Sequence, residues 1–139
     1  MKILIINGPN LNILGKRQPE IYGYQDFNGF LEQLKKRFSH IEIDYYQSNH
    51  EGALIDRIQQ ADGQYEGIVL NAGAYAHTSI AITDAIQAVS CGVVEVHISN
   101  IYAREAFRHT SYLAPYCKGV ITGFGLMGYQ LAIDSFINE

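Results

Sequence analysis

Unbroken apolar runs only three or four residues long alternate in this chain with longer segments whose apolar residues recur at helical spacing. That alternation narrows the fold further than any single motif. Ile3–Ile6, after Lys2, and Ile68–Leu70 have no polar face, as in strands covered on both sides. Val93–Ile98 reads as another strand and Val120–Thr122 as a short last one. Ile41, Ile43 and Tyr45 alternate with Glu42, Asp44 and Tyr46, which predicts an edge or half-exposed strand. Asp26 is placed to cap a helix carrying Phe27, Phe30, Leu31, Leu34 and Phe38, closed by Lys35, Lys36 and Arg37, cations that suit a helix C-terminus. Leu54, Ile55, Ile58 and Ala61 mark a second helix, followed by Gly63. Thr78 or Ser79 caps a third, bearing Ile82, Ala85, Ile86 and Val89 and ended by Gly92, and Tyr129–Ile137 forms the last. Strands separated by helices predict an α/β fold with a five-stranded parallel sheet covered on both faces, a flavodoxin-like doubly wound sandwich.

The 139 residues are read as one domain, 1–139, long enough to bury about two-thirds of the surface of its unfolded chain. An apolar fraction of 47% with 17% charged residues is that of a globular protein rather than a disordered one. Ten Lys and Arg against fourteen Asp and Glu give a formal charge of −4, which argues against nucleic acid as a partner, because that affinity comes from basic patches neutralising phosphates. No apolar run reaches bilayer-spanning length, so no membrane partner is expected. The opening MKILIIN turns polar at Asn7, too soon for a secretory signal. Cys91 and Cys117 make neither a disulfide framework nor a four-ligand zinc set, and a reduced, cytoplasmic setting is the expectation.

In an open parallel sheet, ligands bind beyond the carboxyl ends of the strands. Asn7, Asn10 and Asn12 fall there after the first strand, Ser48–Glu51 after the second, and Asn71, Gly73 and His77 after the third. His97, Ser99 and Asn100 follow the fourth. Asn and Gly also serve ordinary strand-to-helix turns, but turns do not account for His77 and His97 on one rim. Residues 100–118 are long and polar with only a short helical turn expected, and such a loop in a small domain is more often functional than idle. Gly123-Phe124-Gly125-Leu126-Met127-Gly128 matches GxGxxG, yet only eleven residues follow it, too few for the βαβ unit of a dinucleotide site. These glycines are read as a tight turn into the last helix. The five histidines lack paired metal spacing, and neither cysteine has an evident histidine base nearby.

Three blocks carry a resemblance. The first joins Asn7-Gly8-Pro9-Asn10-Leu11-Asn12 to Gly15-Lys16-Arg17-Gln18-Pro19-Glu20-Ile21-Tyr22-Gly23. The second joins Gln47–Gly52 to Asn71–Ser79, and the third runs from Glu95 through Arg108. Together they resemble the type II 3-dehydroquinate dehydratases (type II dehydroquinases) over nearly the whole chain. Thr83, before Asp84, departs from the basic residue often found there, a change that removes no residue assigned to chemistry but could alter an intersubunit contact.

The resemblance implies a hydro-lyase that converts 3-dehydroquinate to 3-dehydroshikimate through an enolate, with no metal, no cofactor and no imine lysine. It implies the shikimate pathway of aromatic amino acid biosynthesis, or quinate breakdown, and a homo-oligomer of trimers grouped into a dodecamer. Tyr22 matches the base and Arg17 the arginine beside it. Only about one free tyrosine in a thousand is ionised at pH 7, and a nearby cation favours phenolate. Taken alone, Tyr22 is one of ten tyrosines and Arg17 a loop charge. Asn10 is implied to donate to the enolate oxygen and His97 to be the general acid. Glu95, two residues before His97, shares its strand face and is placed to hold the imidazole. The substrate carboxylate is assigned to the backbone N–H groups of Ile98 and Ser99 with the Asn71 amide. His77 and Arg108 are assigned to ring hydroxyls, and Asp84 to approach from a neighbouring subunit. Gly15–Gly23 is read as a closing lid. The main alternative is a flavodoxin-like mononucleotide or signalling module, which explains the sheet and glycines but not Tyr22, Arg17, His97 and Glu95 together. A catalytically silent scaffold is the third.

Overall fold

A computed structural model describes residues 1–16, 20 and 26–138. Its five strands are β1 (Lys2–Asn7), β2 (Glu42–Gln47), β3 (Gly67–Asn71), β4 (Gly92–His97) and β5 (Gly119–Thr122). All pairings are parallel and the order is β2-β1-β3-β4-β5. Four α-helices lie wholly within the described residues: α1 (Phe27–Arg37), α2 (Glu51–Ala61), α3 (Ile80–Ala88) and α4 (Met127–Ile137).

Successive strand side chains point to opposite faces, so each buried strand feeds two cores. Ile3, Ile5, Val69, Val94 and Val96 pack with α1 and α4 on one face. Leu4, Ile6, Ile68, Leu70 and Val93 pack with α2 and α3 on the other. Each large apolar side chain so buried contributes about 1.5–3 kcal/mol. The apolar runs of β1 and β3 are therefore the middle of the sandwich, while β2, with its alternating sequence, is an edge strand.

Local chemistry sets the helix ends. The Asp26 carboxylate accepts the Gly29 N–H at 2.9 Å, and Ser79 rather than Thr78 caps α3, accepting the Ile82 N–H at 3.0 Å. α3 stops at Ala88 and Gly92 opens β4, so that glycine starts a strand instead of ending a helix. Residues 100–118 contain three short 3-10 turns, Ile101–Ala103, Ala106–Arg108 and Ala114–Tyr116, more local structure than the sequence predicts. At the GxGxxG match, Gly123 and Gly125 take φ of +94° and +62°, and a Cβ at Gly128 would lie 3.2 Å from Val96 Cγ1. The motif is a turn that seats the start of α4 on β4, as its position predicts.

β1 has β2 on one side and β3 on the other, so the chain's direction of travel across the sheet reverses there. Such a switch opens a crevice between the carboxyl ends of the diverging strands. Asn7 and Asn71 end β1 and β3 in matched register at that point. No helix among the described residues is long and apolar enough to cross a membrane.

Candidate active site

The crevice floor is a directed chain of hydrogen bonds. A backbone N–H can only donate, so the Gly73 N–H at 3.1 Å fixes Asn71 Oδ1 as acceptor and leaves Nδ2 as donor. Asn71 Nδ2 donates to the Tyr129 hydroxyl at 2.9 Å. That hydroxyl in turn donates to Asn7 Oδ1 at 2.7 Å, and Asn7 Nδ2 donates to the Tyr45 hydroxyl at 3.3 Å. Tyr129 is fully buried beneath Phe27 and Phe30, and burial drives its hydroxyl pKa well above the usual phenol value. It is thus a neutral hydroxyl, able to donate once.

The wall comes from β4, where Glu95 and His97 project to one face. Glu95 is completely buried, and its Oε2 pairs with His97 Nε2. Nδ1 is therefore the ring nitrogen of His97 left for a ligand. Glu95 Oε1 accepts the Ser111 hydroxyl at 2.9 Å. The His77 ring stacks beside His97, 5.8 Å between centroids and 24° between planes. His77 Nδ1 lies 2.8 Å from the Thr110 carbonyl, which can only accept, so Nδ1 carries the proton and Nε2 is an acceptor. Burial foremost, then the nearby charges of His97 and Arg108, lower the His77 pKa against the raising effect of the Thr110 bond. A neutral imidazole results.

The near rim follows from a close approach of two loops. Gly8 donates to the Asn71 carbonyl at 2.7 Å, and a Cβ there would sit 2.6 Å from the Ala72 oxygen, a clash only glycine avoids. Asn10 then takes a left-handed φ of 71°, which asparagine tolerates better than most residues. Its N–H donates to Asn49 Oδ1 at 3.0 Å, and Gln47 Nε2 donates to the same oxygen at 3.2 Å. On the far rim, Thr122 Oγ1 donates to the Ser99 carbonyl at 3.0 Å and Arg104 Nη1 to Ser99 Oγ at 3.3 Å, holding the Ile98–Ser99 corner. Arg108 Nε donates to Glu105 at 2.7 Å.

These parts line a small cleft with a cavity volume of about 70 Å³. Asn10, Asn71, His77, His97, Ile98, Ser99 and Arg108 line it, with Arg104 as a second guanidinium. The profile of the family described as "Dehydroquinase class II" matches residues 1–137. The chain belongs to this family.

A 3-dehydroquinate dehydratase from an Exiguobacterium strain is 56% identical over all of this chain and 96% of its own length. A crystal structure of a type II dehydroquinase from Butyrivibrio crossotus superposes with a TM-score of 0.95 at 50% identity, covering 99% of this chain and 97% of that one. Another, from Propionibacterium acnes, gives 0.94 at 38% identity with the same coverage. The doubly wound α/β sandwich is thus that of the class II dehydroquinases.

Arg17 and Tyr22, with most of the Gly15–Gly23 segment, lie outside the described residues. Glu95 stands behind His97 rather than on the cleft wall. Asp84 is exposed on α3 and does not line this chain's cleft. Thr83 is buried, its hydroxyl donating at 3.1 Å to the Ser79 carbonyl of the preceding helical turn. Sequence reasoning placed Asn49 on the rim with Ser48–Glu51 and assigned no role to Arg104, Ser111 or Tyr129. Arg104 and Ser111 fall within the long polar loop, which was the available signal for them. Tyr129 sits in a helical apolar pattern and reads there as core. Among the described residues no group of three or more His, Cys, Asp or Glu is arranged to hold a metal ion.

Proposed function

We propose that this chain is a 3-dehydroquinate dehydratase, a hydro-lyase of one domain over residues 1–139, eliminating water through an enolate without metal or cofactor. Family membership supports the activity. The observation that carries the mechanism is His97 on the cleft lining with its Nε2 held by the buried Glu95 carboxylate, which leaves Nδ1 for a ligand.

The Tyr22 phenolate, favoured by the Arg17 guanidinium, takes the C2 proton beside the C3 ketone. The electron pair of that bond forms the enolate, whose oxygen the Asn10 side chain stabilises with an ordered water. The enolate then expels the C1 hydroxyl, which leaves as water with a proton from His97. The Ile98 and Ser99 backbone N–H groups and the Asn71 amide take the carboxylate; backbone amides suit an anion because their partial positive charge does not titrate. Asn71 Nδ2 has two protons and Tyr129 uses one, which leaves one for substrate. His77 Nε2 accepts from a ring hydroxyl and Arg108 binds another. Arg104 and Arg108 together favour an anionic ligand.

Asp84 completes the site of an adjacent copy in a trimer, and trimers group into a dodecamer. Exposed Ile80, Phe107 and Tyr112 provide apolar surface for such contacts. The setting is cytoplasmic, in aromatic amino acid biosynthesis or quinate breakdown. The test mixes protein with 3-dehydroquinate and follows absorbance of the conjugated enone. Turnover untouched by chelator, and no imine trapped by borohydride, are the expected results. Tyr22→Phe is expected to lower kcat at least about a hundredfold; near-normal turnover would refute Tyr22 as base.

A further inference from the structure

Ser111 lies on the covering loop and takes no part in the reaction steps above, yet it reaches the buried carboxylate behind the general acid. We propose that Ser111 is a positioning residue for the dehydration, locking the Glu95 carboxylate so that His97 holds Nδ1 toward the leaving hydroxyl. The inference rests on the reading of His97 as the acid.

The geometry leaves the Ser111 proton one destination. Its Oγ accepts the N–H of Leu113 at 3.1 Å and of Ala114 at 3.3 Å, and its O–H goes to Glu95 Oε1 at 2.9 Å. Glu95, flanked on its strand by buried Val94 and Val96, has one donor on each oxygen, Ser111 and His97. Rotation of the carboxylate breaks both bonds at once. The next residue, Tyr112, donates its N–H to the Ala76 carbonyl at 2.8 Å, and the carbonyl of the previous one, Thr110, accepts the hydrogen bond from His77 Nδ1. One tripeptide therefore sets both site imidazoles.

Among the described residues, the titratable and charged groups near the pair from other elements are His77, Cys117, Arg104 and Arg108. Arginine keeps its charge through the working range. Burial foremost, then the Glu95 charge, pushes the Cys117 thiol up to about 12, and His77 is held neutral. An O–H donor stabilises a carboxylate's negative charge. Without it, more of the carboxylate's charge acts on the His97 ring, which then holds its Nδ1 proton more tightly and releases it at higher pH, as a weaker acid.

Kinetics of Ser111→Ala, Ser111→Thr and Ser111→Cys across pH test this. Ser111→Ala is expected to raise the alkaline limb of kcat/KM by about one pH unit. Its kcat should fall about tenfold with KM within about twofold. Ser111→Thr, which keeps the hydroxyl, should restore both, and Ser111→Cys, a weaker donor, should fall between. An unmoved limb in Ser111→Ala overturns the proposal whatever happens to kcat, since a purely structural role lowers activity without shifting the limb. His97→Gln separates the two claims: if it is nearly inactive while Ser111→Ala keeps the normal profile, the Ser111 proposal alone fails. If His97→Gln turns over normally, the acid assignment fails and this proposal with it.

Discussion

The Tyr129 hydroxyl accepts the side-chain N–H of Asn71 at 2.9 Å, joining the last helix to the end of β3 directly under the cleft. Tyr129→Phe keeps the ring packing and strips one atom from the centre of the network. Asn71 Nδ2 and Asn7 Oδ1, both in buried residues, lose their partner. The expected loss of stability is about 1–3 kcal/mol, read from urea unfolding. KM for substrate should rise more than kcat falls, because the Asn71 amide is freed to turn. A variant as stable as the parent with unchanged KM contradicts the network.

His77 gives a pH dependence whose sign follows from its environment. Its pKa is lowered from 6.5 chiefly by burial, so the folded protein favours the neutral ring. Its contribution to stability is complete above the ordinary histidine value and is lost as pH falls through the lower, folded-state value. Protonating Nε2 removes the acceptor offered to a ring hydroxyl. Substrate KM should therefore climb at acid pH, and His77→Gln, which does not titrate, should flatten that rise. Initial rates against substrate at a series of pH values decide it, and an identical acid-side climb in His77→Gln counts against the assignment.

Cys117 packs near the buried carboxylate and its thiol is pushed up to about 12. At pH 8 only about one such thiol in ten thousand is the reactive thiolate. Iodoacetamide at that pH should leave Cys117 unmodified by mass spectrometry over an hour, with activity retained. Rapid alkylation of the folded protein would show that the burial is wrong.

The sheet was legible because burial on both faces leaves a compositional trace: Ile3–Ile6 and Ile68–Leu70 have no polar side to lose. Strand edges and caps were legible to within a few residues, as with Ser79, because cap chemistry is local. The placement of Glu95 beside His97 followed from the period of a strand. Ser111 and Tyr129 were not legible as site residues. Their contacts, with Glu95 and with Asn7 and Asn71, depend on how a loop and a helix are laid over the sheet, which no local period encodes.

The bond between Tyr129 and Asn7 spans 122 positions of chain. During synthesis the first strand must wait for almost everything else to emerge from the ribosome before its terminal amide meets that phenol. Nascent chains halted ahead of the final helix should thus be inert however well their earlier strands have paired, and competence should arrive late and all at once.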